Sequence, residues 1–429
     1  NDDRRDYGEA AVMAHFDDAA ELPPGMEDDG EPPLTWPSEW ADAAVAERFA
    51  RDHGDGWRYV DRWGCWLRWD GMRWAVDDTG EAVDRARRFC VREAGRAASE
   101  LPGASAKTTA AALCSRKKIT AVEWLARWDR RHAATVDQWD ADPWALNTPG
   151  GVVDLRSGDV RPHDPAAYQS KITGTRPAAP GATAPRWRAF LDRVTNGDAE
   201  LAAFLQRVAG YCLTGSTREH ALFFAYGTGR NGKGVFINTL ARVLSDYAGT
   251  APMEAFVATG QVQHPTDLAG LRGARLVSAQ ETDEGRRWAE SRIKALTGGD
   301  PITARFMRQD FFTYTPQFKL LIAGNHKPGL RGIDEAMRAR FHLIPFTVTI
   351  PEAERDPELM EKLADEHPAI LRWAIDGCLA WQRDGLAPPA AVREATDEYL
   401  EGEDVLGAWL DECCVVVVNA AEKSSALFE

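Results

Sequence analysis

The sequence predicts an α/β chain whose core is a largely parallel β-sheet built around a phosphate-gripping loop, preceded by a smaller α+β domain and followed by a helical segment. Three observations carry this. Four short apolar runs, "ALFFAY" (221–226), "ARLVSAQ" (274–280), "FKLLIAG" (318–324) and "FHLIPF" (341–346), alternate with helical stretches. Such runs, without a polar residue at every second position, suit strands covered on both faces. The first run leads into "GTGRNGKG", and that loop into a helix with Phe236, Ile237, Leu240, Val243 and Leu244 at helical spacing. Upstream, "WRYVDRWGCWLRWDGMRWAV" alternates aromatics around an Asp-Gly turn, the mark of a hairpin.

In chain order, the stretch "ELPPGMEDDGEPPLTWP" (21–37) is acidic, proline-rich and poor in aliphatics, which predicts a disordered arm over residues 1–36. Order is expected from near Trp40. The N-terminal domain spans 37–174: helix, the aromatic hairpin, more helix to about Ala134, then two short strands around the Ser-Gly turn of "WALNTPGGVVDLRSGDVRPH". Its Trp57, Trp63, Trp66, Trp69 and Trp74 could stack on bases, although such a cluster reads first as the core of a small domain. "TRPAAPGATAP", within 175–186, is a linker by its Pro and Gly content. The sheet-bearing core is assigned to 187–350, opening on helical spacing at Phe190, Leu191 and Val194, then Leu201, Phe204, Leu205 and Val208. A C-terminal helical segment takes 351–429.

Composition narrows the classes. At 429 residues the chain is longer than a single small binding module. Its seven cysteines form no Cys-x-x-Cys pair and no zinc-spaced cluster, which fits a reducing compartment. No apolar run reaches the roughly 18 residues of a membrane span, and the acidic N-terminus is unlike a signal peptide. A start at Asn1 reads as a fragment or a processed chain. Net charge is −15, but residues 1–33 alone hold eleven acids against two arginines. Between Arg286 and Arg331 nine bases face three acids, a local +6, and a polyanion is expected there.

The loop supplies the candidate nucleotide-binding residues: Gly227, Thr228, Gly229, Arg230, Asn231, Gly232, Lys233, Gly234 and Val235. Glycines let backbone amides curl around phosphates, the helix N-terminus adds partial positive charge, and Lys233 reaches the terminal phosphates. Gly234 stands where the usual motif places the Ser or Thr that ligates magnesium, so a further water and carboxylates must hold the ion. ATP and Mg2+ are the expected ligands. Glu281 closes a buried strand and is the first choice for metal and attacking water, with Asp283 and Glu284 close behind. Asn325 ends "FKLLIAGN" and could hold the attacking water. Arg338 and Arg340, in "DEAMRARFHLIPF", suit a charge supplied across a subunit boundary, or plain surface salt bridges.

Taken together, "GTGRNGKG", "RLVSAQETDEG", "RIKALTGGDPITARFMRQDFFTYTPQFKLLIAGNHKP" and "DEAMRARFHLIPF", in that order, resemble the phage and plasmid primase-helicase family of superfamily three DNA helicases, which are AAA+-like and related to the poxvirus primase-helicase. The likeness extends over roughly residues 37–429. It implies a P-loop ATPase that hydrolyses ATP between the subunits of a ring, a homo-hexamer, and travels on single-stranded DNA from 3′ toward 5′ in phage, prophage or plasmid replication. The resemblance makes Asn325 the γ-phosphate sensor and Arg340 the finger, with Arg338 its rival. Lys294, Arg305 and Arg308 become the DNA contacts of a channel hairpin, for which a solvated basic hairpin is the plain alternative. Replication proteins are possible partners, the bacterial host cytoplasm is the expected location, and no membrane is involved. Relatives are expected to continue into a winged-helix domain, and any primase activity would lie outside this chain. Two other readings stay open: a nucleotide-binding DNA loader without unwinding, and a P-loop small-molecule kinase.

Overall fold

A computed structural model describes residues 38–258, 266–280, 286–306, 310–330 and 334–403. The arm at 1–36 and the end of the C-terminal segment lie outside the described residues. The chain divides into two compact units, one of residues up to His53 with Gly80–Arg131, the other of Gly54–Thr79 with everything from His132. The aromatic hairpin and the stretch 175–186 both fall inside the second unit.

The first unit is helical: α1 (Asp42–His53), α2 (Glu81–Glu100), α3 (Gly103–Leu113) and α4 (Arg116–Ala126). Helix α2 buries Ala82, Ala86, Phe89, Cys90, Ala94 and Ala97, a stripe at three- and four-residue spacing. Phe89 meets Phe49 of α1 edge-on, with ring centroids 5.5 Å apart. Ser115 caps α4 by accepting the Lys118 amide proton. Glu93, buried on α2, accepts from Arg48 and Arg96, which keeps its charge paired.

The second unit opens with β1 (Trp57–Val60), β2 (Cys65–Trp69) and β3 (Trp74–Val76), an antiparallel meander. Asp70 accepts the amide protons of Met72 and Arg73 and so closes the expected Asp-Gly turn. Trp57, Trp66 and Trp74 are buried, and Trp74 stacks on Tyr168. The tryptophan cluster is therefore packing. Next come β4 (Ala145–Thr148), β5 (Gly151–Asp154) and β6 (Asp159–Arg161), three strands where two were expected. The Ser-Gly turn joins β5 to β6, and Pro149–Gly150 adds a second hairpin ahead of it. There Gly151 has φ +122°, and a Cβ on it would stand 2.6 Å from the Arg161 carbonyl.

Seven strands follow: β7 (Leu222–Tyr226), β8 (Ala248–Thr250), β9 (Leu276–Gln280), β10 (Ile302–Ala304), β11 (Phe312–Tyr314), β12 (Lys319–Gly324) and β13 (Phe341–Pro345). Strands β10 and β11 form an antiparallel hairpin, while the other five make a parallel sheet of order β13-β7-β12-β9-β8. All four apolar runs are in it. Edge strand β8 reads "AGT" and has no apolar signal to betray it.

Around the sheet lie α5 (Pro185–Val194), α6 (Ala199–Leu213), α7 (Lys233–Leu244), α8 (Thr266–Ala269), α9 (Glu290–Gly298), α10 (Glu335–Arg340), α11 (Leu359–Ala364), α12 (His367–Asp384) and α13 (Ala390–Glu403). Alternate strand residues feed two cores. Phe223 and Ala225 pack with α5, α6, α7 and α12 on one side, and Leu222, Phe224, Leu320 and Ile322 with Trp288, Phe341 and Tyr399 on the other. Burial on both faces is why the runs lack alternation. Strand β12 nonetheless opens on a buried cation, and another immediately precedes β9. Arg275 donates to the carbonyls of Leu213 (2.7 Å) and Ala145 (2.8 Å), and Lys319 to those of Thr214 and Gln317. Burial pushes Lys319 down to about 7.

Candidate nucleotide site

Strand β7 ends at Tyr226, and β12, its parallel neighbour, ends in register at Gly324. The residues just past the two strand ends, Gly227 and Asn325, thus face the same corner. Carboxyl ends of parallel strands are where ligands gather in such sheets. The chain turns through Gly229 (φ +101°), Arg230 (φ +54°) and Gly232 (φ +88°) before α7 begins at Lys233. Left-handed backbone at the two glycines is what lets seven residues fold back over a strand end.

Lys233 is only 6% exposed, and its ammonium donates to the Gly227 carbonyl (2.5 Å) and the Asn325 side-chain oxygen (3.1 Å). Burial lowers its pKa to about 8. Asn231, also buried, turns its amide to the Phe346 carbonyl at 2.8 Å and so pins the loop to the exit of β13. Ile350 donates to the Arg230 carbonyl at 3.0 Å from the same side. Gly227 has no room for a side chain, since a Cβ would stand 2.1 Å from the Asn231 amide nitrogen and 2.2 Å from the Phe346 oxygen. Thr228, Arg230 and Gly234 are exposed, and Val235 packs partly into the core behind them. A Cβ on Gly234 would meet nothing within 4 Å, so the missing hydroxyl reflects residue choice and not want of space.

Glu281, Asp283, Glu284 and Arg308 lie outside the described residues. Gln280, the last residue of β9, pairs with Ala323 of β12, two positions before Asn325. Among the described residues no group of three His, Cys, Asp or Glu side chains is arranged to hold a metal ion.

The expected arginines sit on α10, capped by Asp334, which accepts the Met337 amide proton at 2.8 Å. Arg338 is exposed, with a guanidinium nitrogen 3.8 Å from Asp397. Arg340 donates to the Ala336 carbonyl at 2.7 Å, while its buried Nε finds no acceptor among the described residues. Lys294, on α9, is paired with the same Asp334 that caps the arginine helix. That ammonium and the Met337 amide hold the Asp334 carboxyl below the usual range. Arg305 leaves β10 with its guanidinium 4.8 Å from the Phe311 ring centroid. Phe306 and Phe311 are 42% and 60% exposed, an apolar tip beside that cation.

One neighbour of the corner was not singled out from the sequence. Lys327 places its ammonium 4.8 Å from the centroid of Tyr226, the last residue of β7. Only its place two residues after Asn325 could have drawn attention to it.

Parts of the chain are similar to known proteins. Residues 46–196 match a family described as D5 N terminal like, and residues 225–340 match a family of unknown function. A protein of Acanthamoeba polyphaga mimivirus, named "Putative helicase L207/L206", is 24% identical over 312 residues, 67% of this chain and 32% of the relative. Frog virus 3 (isolate Goorha) has "Putative helicase 022R", 27% identical over 232 residues, 49% of this chain and 24% of the relative. The chain is thus similar, over part of its length, to viral proteins named as helicases. The chain spans about a third or less of the length of the curated proteins it matches. Among solved structures, the apo NrS-1 C terminal region is similar at 13% identity and a TM-score of 0.43, over 53% of each chain. No helix among the described residues is long and apolar enough to cross a membrane.

Proposed function

We propose that the chain is an ATP-driven DNA helicase motor of the superfamily three type, working on single-stranded DNA as a hexameric ring in the replication of a phage, prophage or plasmid. The observation that carries this is the buried Lys233 ammonium, held between Gly227 and Asn325 where two parallel strands end. Neither carbonyl neutralises the charge, so a phosphate entering the corner gains a desolvated cation. The fit is supported by the left-handed glycines and by the absence of room at Gly227. In this reading the amides from Thr228 to Val235 cradle phosphates, Lys233 releases Asn325 to bind the terminal phosphate, and Asn325 then orients the attacking water. Magnesium, with Glu281 as its protein ligand and Asp283 or Glu284 nearby, supplies neutralising charge when bound. Arg340, or Arg338 in its place, reaches the neighbouring subunit's site. Lys294, Arg305 and Arg308 meet the strand, and the Lys294–Asp334 pair gives α10 a direct link to that contact.

Viral relatives named as helicases favour this over a small-molecule kinase, which has no use for the basic hairpin. The loader reading is favoured by one feature, the glycine at 234 in place of a metal-ligating hydroxyl. ATP hydrolysis with and without single-stranded DNA separates the three. The motor predicts hydrolysis stimulated by the strand and abolished in Lys233→Ala. A kinase would ignore DNA, and a loader would bind nucleotide without turnover.

A further inference from the structure

Helix α4 of the first unit carries a face that the proposed motor does not use. Trp124 and the following Trp128 are 51% and 45% exposed, with ring centroids 6.2 Å apart in an edge-to-face pair. Back along the helix, Arg116, Lys117, Thr120 and Ala121 line a shallow groove that ends on Trp124. Val122, Glu123 and Ala126 supply the buried side.

The cations along this face are of two kinds. Lys118 is committed to Asp42 and the Trp40 carbonyl, and Arg127 to Glu123 at 2.8 Å. Arg116 and Lys117 are exposed and enter no ion pair among the described residues. From Gly103 to Arg131 seven bases face two acids, in a chain of net charge −15. Two indoles left in water beside unneutralised cations match a partner that is both polyanionic and flat-faced. Single-stranded nucleic acid has both properties, whereas a duplex hides its base faces.

We propose that this face of the first unit is a second contact for single-stranded nucleic acid, with bases stacked on Trp124 and Trp128 and phosphates on Arg116 and Lys117. It rests on the reading that the chain works on single strands, and it is separate from the hairpin that bears Arg305. Stacking of this kind needs no particular base, so binding should be indifferent to sequence and sensitive to salt.

The test is photo-crosslinking of the whole chain to an oligonucleotide carrying 5-iodouracil, followed by mass mapping of tryptic peptides. Adducts are expected on peptides 119–127 and 128–130. In parallel, W124A/W128A should weaken binding of the same oligonucleotide about tenfold or more, and W124F/W128F should keep most of it. R116A/K117A should lower the slope of log affinity against log salt by roughly 1.4. Hydrolysis of ATP without DNA should stay at the parent rate in every variant. Adducts on the hairpin but not on α4, or W124A/W128A binding like the parent, overturn this inference and leave the motor standing. A chain that binds no strand at all removes both. A change in assembly mass without a change in DNA affinity would make this face a protein contact and overturn the proposal too.

Discussion

The ammonium of Lys233 lies 3.1 Å from the side-chain oxygen of Asn325, so the first residue of α7 and the residue after β12 share one contact at the mouth of the sheet. A nucleotide that draws Lys233 to its phosphates must break or stretch this bond. The two groups are therefore linked before any ligand arrives.

That link separates the roles. Lys233→Ala should lose nucleotide affinity, because it removes the cation. Asn325→Leu keeps the cation and removes the group proposed to orient water. Its kcat should fall by about a hundredfold, a typical loss for one positioned polar group, with KM near the parent value. Steady-state hydrolysis measured over a range of ATP concentrations tells the two patterns apart.

Proton uptake is the second expectation. With its pKa lowered to about 8, Lys233 is roughly half neutral at pH 8 in the unliganded protein. Phosphates beside it favour the charged form, so binding near pH 8 should take up about half a proton, and less at pH 7. Calorimetry in two buffers of different ionisation enthalpy measures this directly. Lys233→Met should show no such uptake.

The glycines of the loop should differ in what they tolerate. Gly232 has φ +88°, and a Cβ on it would stand 2.5 Å from Val194. Gly232→Ala combines left-handed strain with overpacking, each about 1–3 kcal/mol, and should lower the melting temperature and nucleotide affinity together. Gly234→Ser adds a side chain in open space. It should melt within a degree or two of the parent and bind magnesium–nucleotide more tightly, as seen by titration of the metal at fixed ATP.

Acid should weaken the second unit through His342. This ring is stacked on Phe223, with centroids 5.5 Å apart, and burial lowers its pKa to about 4. The unfolded chain binds a proton near pH 6.5 and the folded one only near 4, so stability falls as pH drops through that window. The full loss is about 3 kcal/mol. Urea unfolding at pH 7 and pH 4.5 should show a smaller pH effect in His342→Gln than in the parent.

Much of this could be read along the chain, and what could not has physical reasons. Four strands of the parallel sheet show as apolar runs because both their faces are covered. Strand β8 hides as "AGT" because an edge strand needs only backbone pairing. Lys319 and Arg275 look like exterior charges until carbonyls from distant loops surround them. Lys233 and Asn325 were legible as separate motifs, yet their contact depends on β12 lying beside β7, an order no local pattern encodes. Lys294 shows the same limit, since its partner Asp334 is 40 residues away. Trp124, on α4, and Trp128, just past its end, escaped notice because tryptophans in and beside helices are usually packed, as Trp57, Trp66 and Trp74 of the meander are.

Most direct for the central claim is a mixing experiment. Lys233→Ala lacks a working corner but keeps its arginines, and R338A/R340A keeps the corner but lacks them. Each alone should be inactive in ATP hydrolysis with single-stranded DNA. Mixed before assembly, they should regain a measurable part of the parent rate, because an intact corner then meets an intact arginine from its neighbour. A mixture as inactive as its components, or an R338A/R340A protein as active as the parent, would contradict hydrolysis shared between subunits.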